Sequence, residues 1–342
     1  MCSTRLLIRG FESVDPDDAF QLYRSFSNLA AGVAVSDAQA ASAKFPTPVA
    51  PFVVPASPTG WRRLVRELRS SMKGMTGAIL VALAILAALT APIVAPQSPT
   101  ASVVRAKFAD PFFVDRSTGN LLGGDNLGRD ILSRVLHGAR ASLAIGILVT
   151  VVAAVVGSVL GAIAGFRGGL IDTLVMRTVD LQLSIPFILL AMIVLAVLGP
   201  GFRSVFVALA LALWVNYARL VRGETLRIRE MEYVLSARTI GAGEGRLLTR
   251  HVLPNMLHSI LVLATLDMAF VIIFEASLTF LGLGIQPPTP TWGFMLSEGR
   301  NYLHESPWMT VFPGGAIILT VVGINLLGDW LRDTFDPSLR NR

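Results

Sequence analysis

Six blocks of apolar residues, each close to twenty long, limit what this chain can fold into more than any other feature. They cover residues 77–95, 142–165, 179–198, 204–221, 256–283 and 310–331. A helix rises about 1.5 Å per residue, so about twenty residues match the ~30 Å hydrocarbon core of a bilayer. A helix also satisfies every backbone amide within its own segment, which lipid cannot do for it. The blocks therefore predict an all-α, polytopic membrane protein with six transmembrane helices. Composition agrees: 53% of the 342 residues are hydrophobic and 15% charged, against roughly 25% charged in an average soluble domain. Too few polar residues remain to cover a soluble core of this size.

The distribution of basic residues orients the spans. Arg62, Arg63, Arg66, Arg69 and Lys73 precede the first apolar block, and basic residues accumulate on the cytoplasmic side of membrane proteins. With the first helix running outward, six spans place both termini in the cytoplasm. The predicted inner segments then carry sixteen Lys and Arg and the outer ones seven, the sign the rule requires. The net charge of +6 follows from this topology, because the cations flank apolar blocks instead of forming a basic face for nucleic acid. The weakest span is 204–221, bracketed by Arg203 and Arg219 and diluted by Asn216 and Tyr217.

Residues 1–60 differ in kind. They are rich in Ala, Ser and Pro without periodicity, the composition of a disordered cytoplasmic tail, and hold no apolar core of a secretory signal. Residues 61–342 form the predicted six-span domain. Cys2 is the single cysteine, which excludes an intrachain disulfide and a cysteine metal cluster. His137, His251, His258 and His304 lie far apart, without the spacing of a metal site.

Local signals sharpen the picture. Gly157 and Gly161 are spaced as GxxxG within the second span, a pattern that lets helix backbones approach closely. Pro186 predicts a kink near the start of the third span, and Gly-Pro-Gly at 199–201 an outer turn. Between spans four and five lies a polar run, EYVLSARTIGAGEGRLLTRHVLPN, at 232–255. It predicts a short helix over 232–239, a left-handed glycine at Gly241, and a second helical run over 244–252 that stops before Pro254. Such a turn must stand in water or against a protein.

Several stretches here carry a family resemblance. Ser236-Ala237-Arg238-Thr239-Ile240-Gly241, followed by Leu253-Pro254, resembles the cytoplasmic EAA loop of binding-protein-dependent ABC importer permeases. Leu235 stands where that pattern has Glu and Ser236 where it has the first Ala, which removes the loop's usual acidic contact. GGDNLGRDILSRVLHGARASL (123–143), EASLTFLGLGIQPPTPTWGFML (275–296) and INLLGDWLRDTFDPSLR (324–340) are similar to the dipeptide/oligopeptide, or type C, branch.

The resemblance covers residues 61–342 and implies the transmembrane-domain fold of a type I ABC importer. It further implies a coupling loop over about 222–255, with Tyr233, Ser236, Ala237, Arg238, Gly241, Ala242, Leu253 and Pro254 contacting an ATPase. The implied partners are a second homologous permease, two ATP-binding subunits and an extracytoplasmic substrate-binding protein, in the cytoplasmic (inner) membrane. Di- or oligopeptides are the implied cargo, with nickel chelates, glutathione and other small solutes as alternatives. The chain contains no G-x-x-x-x-G-K-[ST] phosphate loop, so ATP and Mg²⁺ are expected on partner subunits, and no cofactor on this chain.

Ionisable residues at membrane depth are costly, and each calls for a reason. Arg177 and Asp180 can pair on one face. Asp267 and Glu275 are about 12 Å apart along the axis of span five. They are candidates for a translocation path meeting a substrate ammonium, or for interhelical hydrogen bonds or contacts with the partner permease. Outside, 124–134 predicts a short helix in which Asp125, Arg129 and Asp130 are candidates for a rim that docks the binding protein, with Asp130 and Arg134 as a local i,i+4 pair. No catalytic cluster is assembled at either face, which argues against a membrane enzyme. A motor-independent channel would need a ring of like residues and has no use for a coupling loop.

Overall fold

The computed structural model describes residues 60–111 and 120–335, and all but Gly60 of the tail expected over 1–60 lies outside them. Trp61–Arg342 form one compact unit. Short α1 (Gly60–Ser70) runs to Ser71, whose side chain caps α2 (Met72–Val94) by accepting from the Gly74 amide at 3.1 Å. Helix α2 shows most of its apolar surface outward, including Leu83 and Leu89, as a lipid-facing span should. Its inner stripe is small: a Cβ on Gly77 would meet the Leu327 amide at 2.7 Å.

Helix α3 (Ile131–Arg167) has 37 residues and is about 55 Å long. Its partner is α6 (Phe202–Arg229), and the two backbones touch. A Cβ on Gly157 would lie 2.2 Å from the Trp214 carbonyl oxygen and one on Gly161 2.3 Å from that of Ala218. The GxxxG stripe is thus a packing surface where the backbones of α3 and α6 meet. Helix α6, the weakest span by sequence, is deeply buried, with Leu209, Val215, Tyr217, Ala218 and Val221 all enclosed. Its polar content belongs to a helix surrounded by protein, where the requirement for apolar residues facing lipid does not apply.

The block expected as one third span is divided. Helices α4 (Gly169–Leu183) and α5 (Phe187–Leu198) meet at a 92° bend across Ser184-Ile185-Pro186. Pro186 has no amide to continue α4, and its ring disfavours helical backbone at Ile185. The bend is tied to α6: Gln182 Nε2 donates to the Leu211 carbonyl at 2.7 Å, and Trp214 Nε1 donates to Gln182 Oε1 at 2.9 Å. Five helical segments are long and apolar enough to cross a membrane, and the bent pair supplies a sixth if it counts as one span. Arg177 and Asp180 are both exposed on α4 and form no ion pair with each other, correcting the expected pairing. Asp172 pairs instead with Arg222 of α6, its Oδ2 2.7 Å from Nη2.

The remaining elements are α7 (Glu232–Thr239), α8 (Glu244–Leu247), α9 (Leu253–Phe280), α10 (Trp292–Gly299) and α11 (Trp308–Phe335). Helix α10 is wedged against α9 and α3. Gly293 abuts Ala276, and buried Trp292 donates its indole N–H to the Val135 carbonyl at 3.0 Å.

Candidate functional site: the loop between α6 and α9

The polar run begins where α6 ends. Arg229 Nη1 donates to the Gly165 carbonyl at 2.8 Å, joining the ends of α6 and α3. Helix α7 then occupies the predicted 232–239 and closes in a Schellman turn. The Gly241 amide donates to the Arg238 carbonyl at 3.0 Å and the Ala242 amide to the Ala237 carbonyl at 3.1 Å. This geometry needs a left-handed residue, and Gly241 has φ +89°. The second helical run does not stop before Pro254 as expected. It passes from α8 through a π-helical turn over Leu248–Val252 directly into α9. Pro254 falls in the first turn of α9, where a missing amide proton leaves no helical bond unmade.

The loop has two unlike faces. Val234, Leu247, Val252 and Met256 are buried and pack on Ala162 and Phe166 of α3 and on Val221 and Ile228 of α6. Ala237, Ala242 and Leu253 are half-buried against the same cluster. Opposite them, Tyr233, Leu235, Ser236 and Arg238 are exposed, and Ile240 is 88% exposed. Two of these make contacts within the chain: the Arg238 guanidinium lies 5.8 Å from the Phe166 ring centroid, and the Tyr233 hydroxyl accepts from Asn255 Nδ2 at 3.1 Å. The loop is thus bolted down on one side and presents Tyr233, Leu235 and Ile240 outward on the other. Sequence reasoning missed Val234, Leu247 and Val252 as anchors, although apolar residues at helical spacing in a polar run were the available signal.

At the other end of the bundle the expected short helix over 124–134 does not form. Residues 124–130 make a turn closed by a bridge between Gly124 and Asp130, and α3 starts only at Ile131. Asp125 Oδ1 accepts from the amides of Leu127 and Arg129, both at 2.8 Å. Its Oδ2 takes both Arg129, at 2.5 Å, and Arg134. The same two arginines reach across to Glu298 of α10, at 2.8 and 2.6 Å. Arg134 therefore does not pair with Asp130, which instead caps α3 by accepting from the Ser133 amide at 2.8 Å. Burial works against the Arg129 charge, but Asp125 and Glu298 outweigh it and hold its pKa above the usual arginine value. Asp125 and Asp130 are each 1% exposed, so both carboxylates are used inside the chain. Of the residues expected as a docking rim, Asp125 and Arg129 join Arg134 in the link to Glu298 of α10 in this conformation, and Asp130 caps α3.

The carboxylates of α9 are also internal. Glu275 is fully buried and accepts from Ser142 of α3 at 3.2 Å and from Thr279 at 2.9 Å. Asp267 is buried beside the Tyr217 hydroxyl of α6. For Glu275 the interhelical hydrogen bond, the alternative to a translocation path, is the arrangement observed.

The sequence pattern of binding-protein-dependent transport system inner membrane components matches residues 157–341. That of the N-terminal transmembrane domain of oligopeptide transport permease C matches residues 59–111. The chain is 38% identical to a dipeptide transport system permease protein of Alkalihalophilus pseudofirmus, across 82% of this chain and 91% of that one. It is 43% identical to a putative peptide transport system permease protein of Brucella suis, with the same coverage. A glutathione transport system permease protein of Escherichia coli is 43% identical across 82% of this chain and 92% of its own. The helical bundle, its loop and these matches agree: the chain belongs to the binding-protein-dependent transport system inner membrane components, the permeases with the type I ABC importer transmembrane fold.

Proposed function

We propose that this permease carries di- or oligopeptides inward across the cytoplasmic membrane, driven by ATP-binding subunits that grip the loop between α6 and α9. The observation that carries the coupling part is the loop's two-faced construction. Its inner face is continuous with the core under α3, α6 and α9, and its outer face offers apolar side chains that no described residue covers. A lever must be rigid where it joins the helices and sticky where it meets the motor.

Tyr233, Ser236, Arg238, Gly241 and Pro254 are the outward contacts in this reading, with Ala237, Ala242 and Leu253 holding the loop to the bundle. ATP and Mg²⁺ are held by the partner subunits, a second permease completes the membrane unit, and an extracytoplasmic binding protein delivers the cargo. The excess of cations at the loop end supports a cytoplasmic loop and cytoplasmic termini. The names of the Alkalihalophilus and Brucella relatives support peptides. Glutathione, named for the Escherichia coli relative, is the second candidate.

The test is recovery of the complex. Gly241→Asp adds an outward charge where there is open space but strains the left-handed turn at φ +89°, and Ile240→Glu adds one without touching the turn, so it separates charge from strain. Both variants should fold, lose their copurifying ATPases and lose peptide uptake. Normal uptake with full ATPase recovery in both would refute the coupling role.

A further inference from the structure

A second polar feature of the bundle is used by neither the loop nor the outer cluster. Helices α6, α9 and α11 border an open recess of about 750 Å³ whose lining includes Asn216, His258 and Ser259 and the exposed Arg219 and Arg332. The rest of the described wall is apolar, and no carboxylate among the described residues lines it. Asp329 and Asp333 are exposed on α11 but do not border it. Among the described residues, Arg219 and Arg332 have no ion pair or hydrogen bond.

The depth of these groups is consistent across three helices. Arg219 lies about 25 Å from the Phe202 end of α6, His258 about 33 Å from the Phe280 end of α9, and Arg332 about 36 Å from the Trp308 end of α11. All three sit where a ~30 Å hydrocarbon core gives way to headgroups, at the end of the bundle that carries the loop.

We propose that this recess binds an anionic phospholipid, its phosphate held by Arg219 and Arg332 and an acyl chain lying on the apolar wall. Cations beside apolar surface need a counter-charge, and among the described residues none supplies it. A guanidinium matches a phosphate in geometry as well as in charge. Basic recesses between helices at headgroup depth suit phosphate-bearing lipids. A peptide in the same place would bring an ammonium group as well, and the lining has no carboxylate to receive it. The inference does not depend on the cargo or on the coupling role of the loop.

The experiment titrates the full chain, extracted in mild detergent with whatever copurifies, with phosphatidylglycerol and with phosphatidylcholine, counting retained lipids by native mass spectrometry. Wild type should retain phosphatidylglycerol in preference, and Arg219→Gln and Arg332→Gln should each weaken that preference about fivefold. Arg203→Gln, an exposed arginine at the opposite end of α6, should leave it unchanged. Thermal unfolding of each variant reports whether it folds, and a wild type without preference overturns the proposal whatever the variants do. So does a preference that survives both substitutions. Displacement of the lipid by a tripeptide but not by its C-terminal amide would assign the recess to cargo and overturn it too. Loss of lipid in preparations that contain a second permease would assign the recess to a subunit interface, with the same result.

Discussion

The two ends of the bundle use unlike residue types, each against its usual purpose. At the outer end, Asp125, Arg129, Arg134 and Glu298 are drawn together between α3 and α10, and each charge is answered within the chain. At the loop end, Tyr233, Leu235 and Ile240 are apolar or amphipathic and stand exposed, while Arg238 only leans on Phe166. A charged cluster on a loop suggests an interaction surface and an apolar residue suggests a core, and in this molecule both inferences reverse. The free energy of burying a charge is recovered only by close partners. A cluster whose partners are all internal therefore holds the fold, and a surface whose partners are missing is where to look for another chain.

This contrast can be broken by substitution, beginning at the outer end. Arg134 is 3% exposed and answers both Asp125 and Glu298, so Arg134→Met should leave the two carboxylates sharing Arg129 alone and cost up to about 3–5 kcal/mol, read as a drop in unfolding temperature in detergent. A tolerated substitution would mean that the outer cluster is solvated and no different in kind from the loop. Next is the seat of the loop's supporting helices: Gly161→Leu forces a side chain into the Ala218 carbonyl and should destabilise by about 1–3 kcal/mol or more, with expression level and unfolding temperature as readouts. Val234→Ala removes part of the loop's buried underside and should cost about 1–3 kcal/mol, appearing as faster amide exchange across 232–252 than elsewhere. Smallest in stability is Ile240→Glu, expected within about 0.5 kcal/mol of wild type, yet with the largest loss of copurifying ATPase. If Ile240→Glu destabilised the chain as much as Arg134→Met, the distinction between the two ends would fail.

Much of the architecture was legible before any coordinates. The apolar blocks located the spans, Pro186 announced the bend, and the run SARTIGA announced a helix closed by a left-handed glycine. The sharpness of the bend was not legible, because 92° depends on Gln182 reaching the α6 backbone and Trp214. Nor were the partners of the outer arginines, since Glu298 lies more than 160 positions from Arg134 and no local spacing rule connects them. Local pairing rules suggested Asp130 with Arg134 and Arg177 with Asp180. Longer-range partners won in the first case, because a carboxylate at a helix start is better used as a cap. In the second case both side chains simply remain exposed.

Hydrophobic runs, basic flanks and turn residues are properties of consecutive positions, and they suffice for an all-α membrane protein with a polar loop between two late spans. Which carboxylate answers which arginine, which face of the loop is anchored, and which helices bring together Arg219, Arg332 and His258 depend on distances between segments far apart in the chain. Those distances are set by the close approach of α3 and α6 at Gly157 and Gly161 and by the wedging of α10 against α9. Charges and hydrogen bonds act over a few ångströms of space, so their pairing exists only after the helices have packed.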